Sequence, residues 1–278
     1  MKLRVAYQGV AGAYSHIACK SLYPDAEYQS CFSFAEAFAL VQNGRADIAV
    51  IPVENSNAGR VSDVHFLLPE TGLTISGEYF LRIEHQLLGL PGSRLENIRT
   101  AFSHPQALAQ CSEFLKLHRI IPCAESDTAL SCRKVLEQKD SSCAAIASAL
   151  AAETYGLEIL SANIENAANN TTRFLIMSPH RQLPEDDGGE FITSFIFRAK
   201  NIPAALYKAL GGFATNGINI TKLESYLLDG RFVSAQFYIE IESHPERKAF
   251  QQAFAELNFF SDDIHLLGTY PAHPYRKL

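Results

Sequence analysis

Leu3-Arg4-Val5-Ala6-Tyr7-Gln8-Gly9-Val10-Ala11-Gly12-Ala13-Tyr14-Ser15 reads as a short apolar strand, a turn carrying Gly9 and Gly12, and the opening of a helix that runs to about Tyr23. A helix starting there turns backbone N–H groups and its positive dipole end toward any anion beside Tyr14, Ser15 and His16. Glycine in such a turn also serves the backbone alone, so Gly9-x-x-Gly12 leaves both readings open. Ser33-Phe34-Ala35-Glu36 is a capping box, with Phe34, Phe38 and Val41 on one helix face and Gly44 at the stop. Ala46-Asp47-Ile48-Ala49-Val50-Ile51-Pro52-Val53 is a buried strand ended by Glu54-Asn55-Ser56-Asn57-Ala58-Gly59. Strand, helix, strand, helix, strand is the doubly wound α/β pattern, whose ligands bind beyond the carboxyl ends of the strands. Gly9–Ser15 and Glu54–Ser56 both lie at such ends, and the second also fits a plain turn before a helix cap.

A composition shift near Thr71–Glu78 opens a second lobe with the strand-like run Tyr79–Leu90. Thr100-Ala101-Phe102 is followed by Ser103-His104-Pro105-Gln106 and a helix through about Leu117; Ser103 and Gln106 fit a capping box, and Pro105 suits a first turn. Ile120–Cys123, a helix over about Asp127–Gln138, the strand Cys143–Ala147 and a helix ending at Gly156 complete this lobe. Asn169-Asn170-Thr171-Thr172-Arg173-Phe174 then stands at the mouth of the apolar run Phe174-Leu175-Ile176-Met177, a buried strand predicted to cross back into the first lobe. Two α/β lobes joined by such crossings form a cleft resembling that of a type-II solute-binding protein.

Residues 179–190, rich in Pro, Gly and Asp, read as a linker. Beyond it come a strand at Phe191–Arg198, a helix at Pro203–Asn216, a hairpin of Ile218–Leu228 and Phe232–Ile241 about a type I′ turn at Asp229-Gly230, a helix at Pro245–Leu257 and a strand at Ile264–Tyr270. The order βαββαβ is the ferredoxin-like motif.

The chain has 278 residues, 47% hydrophobic and 19% charged, with a net charge of −6 and scattered Lys and Arg. That composition describes a soluble globular protein and argues against a nucleic-acid footprint or a polybasic membrane patch. The strand pattern begins at once, which leaves no room for a signal peptide, and no apolar run reaches the ~18 residues of a membrane span. The six cysteines form no Cys-x-x-Cys pair and no zinc-finger spacing with histidine, so they read as reduced thiols of a cytoplasmic protein with no metal.

In order, these pieces resemble the prephenate dehydratase family over nearly the whole chain. The motifs are Gly9-x-x-Gly12-x-Tyr14-Ser15, Ile51-Pro52-Val53-Glu54-Asn55-Ser56, Ser103-His104-Pro105-Gln106-Ala107-Leu108, Ala144-Ala145-Ile146-Ala147 and Asn170-x-Thr172-Arg173-Phe174, followed by a domain that looks like an ACT module. The resemblance implies a two-lobed catalytic domain over 1–178, with lobe one at about 1–75 plus a returning segment near 172–178 and lobe two at about 76–171. It implies a linker at 179–190, a regulatory ACT domain at 191–278, and the monofunctional form, lacking the chorismate mutase bundle. The implied reaction turns prephenate into phenylpyruvate, water and carbon dioxide without cofactor or metal. Thr172 falls on the family's essential threonine, and Asn55, Gln106, Ser103 and Glu54 line the site with it. Ser15, Arg173 and Asn170 are implied substrate-binding residues.

In the family, ACT modules pair between subunits and bind phenylalanine as an inhibitor. The matching residues are Asn201, Pro203, Ala204, Ala205, Leu206, Glu224 and Ser225, and a homodimer or homotetramer through ACT and catalytic domains is implied. Ala204 stands where the family usually has glycine, and Tyr226-Leu227 where it has Arg-Pro, so both are expected to retune that pocket.

Amides, hydroxyls and a helix N-terminus suit a dianionic substrate because they bind anions without adding a charge of their own. On a regular strand Thr172 and Arg173 point to opposite faces, and Thr172 is expected toward the cleft. Glu54 or water is expected to complete protonation of the leaving hydroxyl, with Thr172 as hydrogen-bond donor. Arogenate dehydratase is the alternative enzyme, and a cytoplasmic ligand sensor of the same architecture is the alternative of another class.

Overall fold

Val5, Ala6 and Tyr7 are buried in the first strand, and the turn after them opens a helix, as the chain's first stretch predicts. The computed structural model describes residues 2–180, 182–227 and 235–277. In chain order the elements are β1 (Arg4–Gln8), α1 (Tyr14–Leu22), β2 (Glu27–Cys31), α2 (Phe34–Gln42), β3 (Ile48–Asn55), β4 (Gly59–Arg60), α3 (Ser62–Leu67), β5 (Thr74–Arg82), β6 (Gln86–Gly89) and β7 (Thr100–Ser103). They continue with α4 (Pro105–Gln110), α5 (Ser112–His118), β8 (Ile121–Ala124), α6 (Leu130–Gln138), β9 (Cys143–Ala147), α7 (Ala149–Tyr155), β10 (Glu158–Ser161) and β11 (Thr171–Ser178). The last six are β12 (Phe191–Ala199), α8 (Ala205–Thr215), β13 (Ile220–Leu227), β14 (Ala235–Glu242), α9 (Lys248–Phe259) and β15 (Ser261–Pro271). The fold is α/β, a two-lobed solute-binding-type body followed by a ferredoxin-like βαββαβ unit.

By compactness the chain forms two units, Met1–Val61 with Tyr79–Phe174, and Ser62–Glu78 with Leu175–Leu278. The first holds both lobes. One sheet runs β2-β1-β3-β11-β5, so the late strand β11 lies between β3 and β5; the other runs β10-β6-β9-β7-β8. The capping box holds, since the Glu36 N–H donates to Ser33 Oγ (3.1 Å) and the Phe32 N–H to Glu36 Oε2 (2.7 Å). The lobes meet where Gly12 faces α7: the Ser148 hydroxyl donates to the Gly12 carbonyl (2.6 Å). Gly12 has φ +88°, and a Cβ there would lie 2.8 Å from Ala151 Cα, so only glycine fits.

Three expectations change. Tyr79–Leu90 is two strands, because the Ile83 N–H goes to Asn170 O and the His85 N–H to Glu165 Oε2 as the chain passes from one sheet to the other. The helix after Pro105 breaks at Cys111 into α4 and α5. Its cap is His104, whose Nδ1 accepts from the Gln106 N–H (3.2 Å), so Ser103 is no cap.

In the second unit the sheet order β13-β14-β12-β15 has α8 and α9 packed over Phe195, Phe197, Ile239 and Ile241. The expected turn at Asp229-Gly230 lies outside the described residues. The segment 179–190 is tied down: Arg247 grips Asp186 bidentately (2.8 and 2.6 Å), holding that carboxyl down at about 2, and His244 Nε2 meets the Pro184 carbonyl (2.9 Å). Residues 62–78 pack here too, with His65 buried against the rings of Tyr226 and Tyr238 and Gly268 lying against Ile75, where a Cβ would fall 2.0 Å from the carbonyl oxygen.

The helix α8 starts at Ala205, not Pro203, because Ala204 caps it in the left-handed region at φ +58°. An alanine there carries ~1–2 kcal/mol of steric cost, partly offset because glycine is freer when unfolded. Ala204→Gly is therefore expected to stabilise the protein by up to about 1 kcal/mol, read from the denaturant midpoint.

Candidate active site

Strand ends and helix starts of both lobes surround a cavity of about 370 Å³. The α1 N-terminus brings Ala13, Tyr14 and Ser15, the end of β3 brings Pro52 and Asn55, and the β3–β4 hairpin brings Ala58–Val61. Thr172 and Phe174 come from β11, and His104, Gln106, Gln110, Asp127 and Thr128 from the other lobe.

Asn55, 8% exposed, is fixed on every side. Its Oδ1 accepts the N–H groups of Asn57 and Ala58 (both 3.0 Å), and its Nδ2 donates to Asn170 Oδ1 (2.8 Å) and Thr172 Oγ1 (2.9 Å). The amide has two donors and an acceptor with two lone pairs, so these four bonds fix its orientation. Thr172 thus receives a hydrogen bond from Asn55 and keeps its own hydrogen for another acceptor.

Behind them the network continues. Asn170 Nδ2 donates to Gln110 Oε1 (3.1 Å), His85 Nε2 lies 2.9 Å from the same oxygen, and His85 Nδ1 lies 2.7 Å from the Tyr14 hydroxyl. Burial lowers the His85 pKa and pushes the Tyr14 phenol well up, so both are neutral near pH 7. Neutral His85 donates through Nε2 to Gln110 and accepts from Tyr14 at Nδ1. With both partners on its oxygen, Gln110 keeps its NH₂ group for the cavity it lines.

Of the residues expected from the sequence, Thr172, Asn55, Gln106 and Ser15 line the cavity. Asn170, 1% exposed, stands behind the wall and orients Asn55. Ser103 does not reach the site: it is fully buried and donates to the Ile146 carbonyl (2.6 Å), joining β7 to β9. Glu54 is also off the wall, since it precedes Asn55 on β3 and side chains alternate along a strand. Arg173 turns away for the same reason; 5% exposed, its guanidinium lies 5.9 Å from the Phe80 ring. Gln110 and His85 were missed. Gln110 follows Gln106 by one helical turn, a spacing that signals a shared face, whereas nothing local marks His85.

In the second unit Asn201, Pro203 and Ala204 are exposed ahead of α8, Ala205 is buried and Leu206 is half-buried on the core. Glu224 faces Lys222 (3.7 Å), and Ser225 is exposed on β13. Tyr226 does not open toward that loop; it is buried against His65 and Phe66 of α3. Among the described residues no cluster of His, Cys, Asp or Glu is placed to hold a metal, and no helix is long and apolar enough to cross a membrane. Burial pushes the Cys111 and Cys132 thiols up to about 12, so neither is a nucleophile near neutral pH.

A family model described as prephenate dehydratase matches residues 5–182. The bifunctional N-acyl-homoserine lactone acylase/prephenate dehydratase of Komagataeibacter europaeus is 48% identical over 98% of this chain and 97% of its own. Arogenate dehydratase 2 of Petunia hybrida is 37% identical over 98% of this chain and 72% of its own. The solved prephenate dehydratase of Arthrobacter aurescens in complex with L-Phe is 28% identical, with a TM-score of 0.88 over 97% of this chain and 90% of that one. By fold, motif order and these likenesses, the chain belongs to the prephenate dehydratase family of hydro-lyases.

Proposed function

We propose that the protein converts prephenate to phenylpyruvate on the way to L-phenylalanine, and that L-phenylalanine inhibits it through the C-terminal ACT unit. The observation that carries the reading is the Asn55–Thr172 bond (2.9 Å) on the cavity wall. When the ring carboxylate departs as carbon dioxide, its bonding electron pair stays in the ring. The ring becomes aromatic as the carbon–oxygen bond opposite breaks, and the hydroxyl leaves as water after taking up one proton. The dianion and one proton thus give the phenylpyruvate monoanion, carbon dioxide and water.

Thr172, already accepting from Asn55, donates its hydrogen to the departing hydroxyl, and Gln110 offers a second donor. An alcohol does not give up its proton, so the proton that completes the water comes from cavity water; Glu54, off the wall, is not its source. First-turn N–H groups of α1 have no partner within the helix and suit an anionic end of the substrate. Further acceleration comes from holding the dianion among oriented dipoles.

Phenylalanine binding is supported by the exposed Asn201–Ala204 loop and by the L-Phe complex of the Arthrobacter relative. Ala204 is the departure on that loop that sets its strength, Tyr226 being buried away from it against His65 and Phe66. A homodimer or homotetramer follows from the same reading, as does a cytoplasmic site of action.

The test is phenylpyruvate formation by the purified protein from prephenate, with L-phenylalanine added to half of those samples, and phenylalanine formation from arogenate measured in parallel. Prephenate turnover that phenylalanine suppresses is expected. Turnover of arogenate alone would move the assignment to arogenate dehydratase, and no turnover of either would favour a ligand sensor. Acylase activity, part of the Komagataeibacter protein's name, is assayed beside it with an acyl-homoserine lactone. Amide hydrolysis needs a hydroxyl activated by a base, and Thr172 is bonded to an amide donor instead.

A further inference from the structure

Two backbone N–H groups set the direction of the hydrogen-bonded chain behind the cavity wall. Those of Asn57 and Ala58 both donate to Asn55 Oδ1 (3.0 Å each), and a backbone donor cannot turn into an acceptor. Asn55 therefore offers Nδ2 to Asn170 Oδ1 (2.8 Å), which turns Asn170 Nδ2 toward Gln110 Oε1 (3.1 Å). His85 Nε2, 2.9 Å from that same oxygen, must then carry a hydrogen. A hydrogen on Nδ1 alone, with the Tyr14 hydroxyl donating to the Glu84 carbonyl (3.0 Å), would set the Nε2 lone pair against those of Gln110. Turning the Gln110 amide over would relieve that contact only by facing its NH₂ group with the NH₂ group of Asn170. The Tyr14 hydroxyl, 2.7 Å from Nδ1, closes the chain by donating to it. His85 itself is 2% exposed and has little room to turn: its N–H goes to Glu165 Oε2 (2.9 Å) and its carbonyl accepts from the Ile164 N–H (2.9 Å).

We infer that His85 is a positioning residue of the dehydration, acting on the substrate only through Gln110, whose NH₂ group it holds toward the cavity. This rests on the dehydratase reading above. Both ring nitrogens of His85 are taken by Tyr14 and Gln110, so neither is left for the substrate. Gln110 is the last residue of α4, and its long side chain reaches the wall through rotatable bonds. With Asn170 alone on its oxygen, the amide would swing or turn over and bring a lone pair to the departing hydroxyl. Two donors converging on Oε1, one just ahead of β11 and one between β5 and β6, leave it a single orientation. The departing oxygen gains negative charge as its bond to carbon breaks, so a fixed donor counts for more in the transition state than in the bound substrate. The effect of His85 therefore falls on kcat.

The test measures steady-state kinetics of wild type, His85→Leu, His85→Gln, Gln110→Leu and the double variant His85→Leu/Gln110→Leu, on whichever dehydratase substrate wild type consumes. His85→Leu is expected to lower kcat ~10–100-fold with KM little changed, short of a whole lost donor because Asn170 still holds the oxygen. His85→Gln, whose amide nitrogen reaches the place of Nε2, is expected to recover the larger part of kcat. The double variant is expected to turn over within about two-fold of Gln110→Leu, since two residues acting through one donor do not multiply. A His85→Gln enzyme as slow as His85→Leu, or losses that multiply in the double variant, would overturn the role. Should His85→Leu fail to fold, His85→Asn takes its place, because its shorter amide reaches only the Nδ1 position. Nitrogen-15 spectra of the histidine rings read the tautomer without any turnover, the His85 signals being those lost in His85→Gln. Hydrogen on Nε2 is expected, and hydrogen on Nδ1 alone overturns the proposal. A wild type that carries the Nε2 hydrogen yet consumes neither substrate would overturn the dehydratase reading and leave the orientation of Gln110 standing.

Discussion

Thr172→Ala is expected to form phenylpyruvate ~10²–10³-fold more slowly than wild type, with KM little changed, because it removes a hydrogen-bond donor used at the departing oxygen. Thr172 is only partly buried on β11, so the loss of one hydroxyl leaves packing nearly intact and the variant should melt close to wild type. The structure adds a second consequence. Asn55 Nδ2 loses an acceptor, while its other three bonds, to Asn57, Ala58 and Asn170, still hold its orientation. Thr172→Ser keeps the acceptor and the donor and should retain most of kcat. A Thr172→Ala enzyme turning over within ten-fold of wild type, the low end being ~10²-fold, would remove Thr172 from the chemistry.

The largest stability effect is expected at Arg276. Its guanidinium meets Glu78 at 2.6 and 2.8 Å and Glu240 at 2.8 Å, and Tyr238 donates to the other oxygen of Glu240 (2.6 Å). Side-chain exposure is 15% for Arg276, 0% for Glu78 and 1% for Glu240. Arg276→Met takes the guanidinium from between two buried carboxylates and should cost about 3–5 kcal/mol, the usual penalty for breaking a buried pair on one side. Combining Arg276→Met with Glu78→Gln and Glu240→Gln should recover much of the loss, which a purely steric role for Arg276 would not allow. Denaturant midpoints of wild type, the single variant and the triple variant settle it.

Local patterns were legible. The periodicity of Leu3–Gln8 and Ala46–Val53, the capping box at Ser33 and the βαββαβ order after Phe191 each depend on neighbours within a turn or a pleat, and the fold class follows from their order. Asn55 and Thr172 were legible as polar residues at strand ends. The alternation that separates Thr172 from Arg173 was legible too, although Thr171, Thr172 and Arg173 proved to lie within β11 itself.

The remainder depended on partners far apart in sequence. Asn55 meets Asn170 across 115 positions and Tyr14 meets His85 across 71, and no local pattern records either. Ser103 and Glu54 occupy plausible strand ends, but β9 beside β7 absorbs the hydroxyl of one and the pleat of β3 turns the other off the wall. Residues 62–78, continuous in sequence with the cavity hairpin, pack with the C-terminal unit because Glu78 and Ile75 find Arg276 and Gly268 there. Sequence by itself determined the type and order of most elements, because caps, helical periodicity and strand alternation are local patterns. Only the tertiary structure decided which side chains share the cavity, because that follows from how segments remote in sequence are packed.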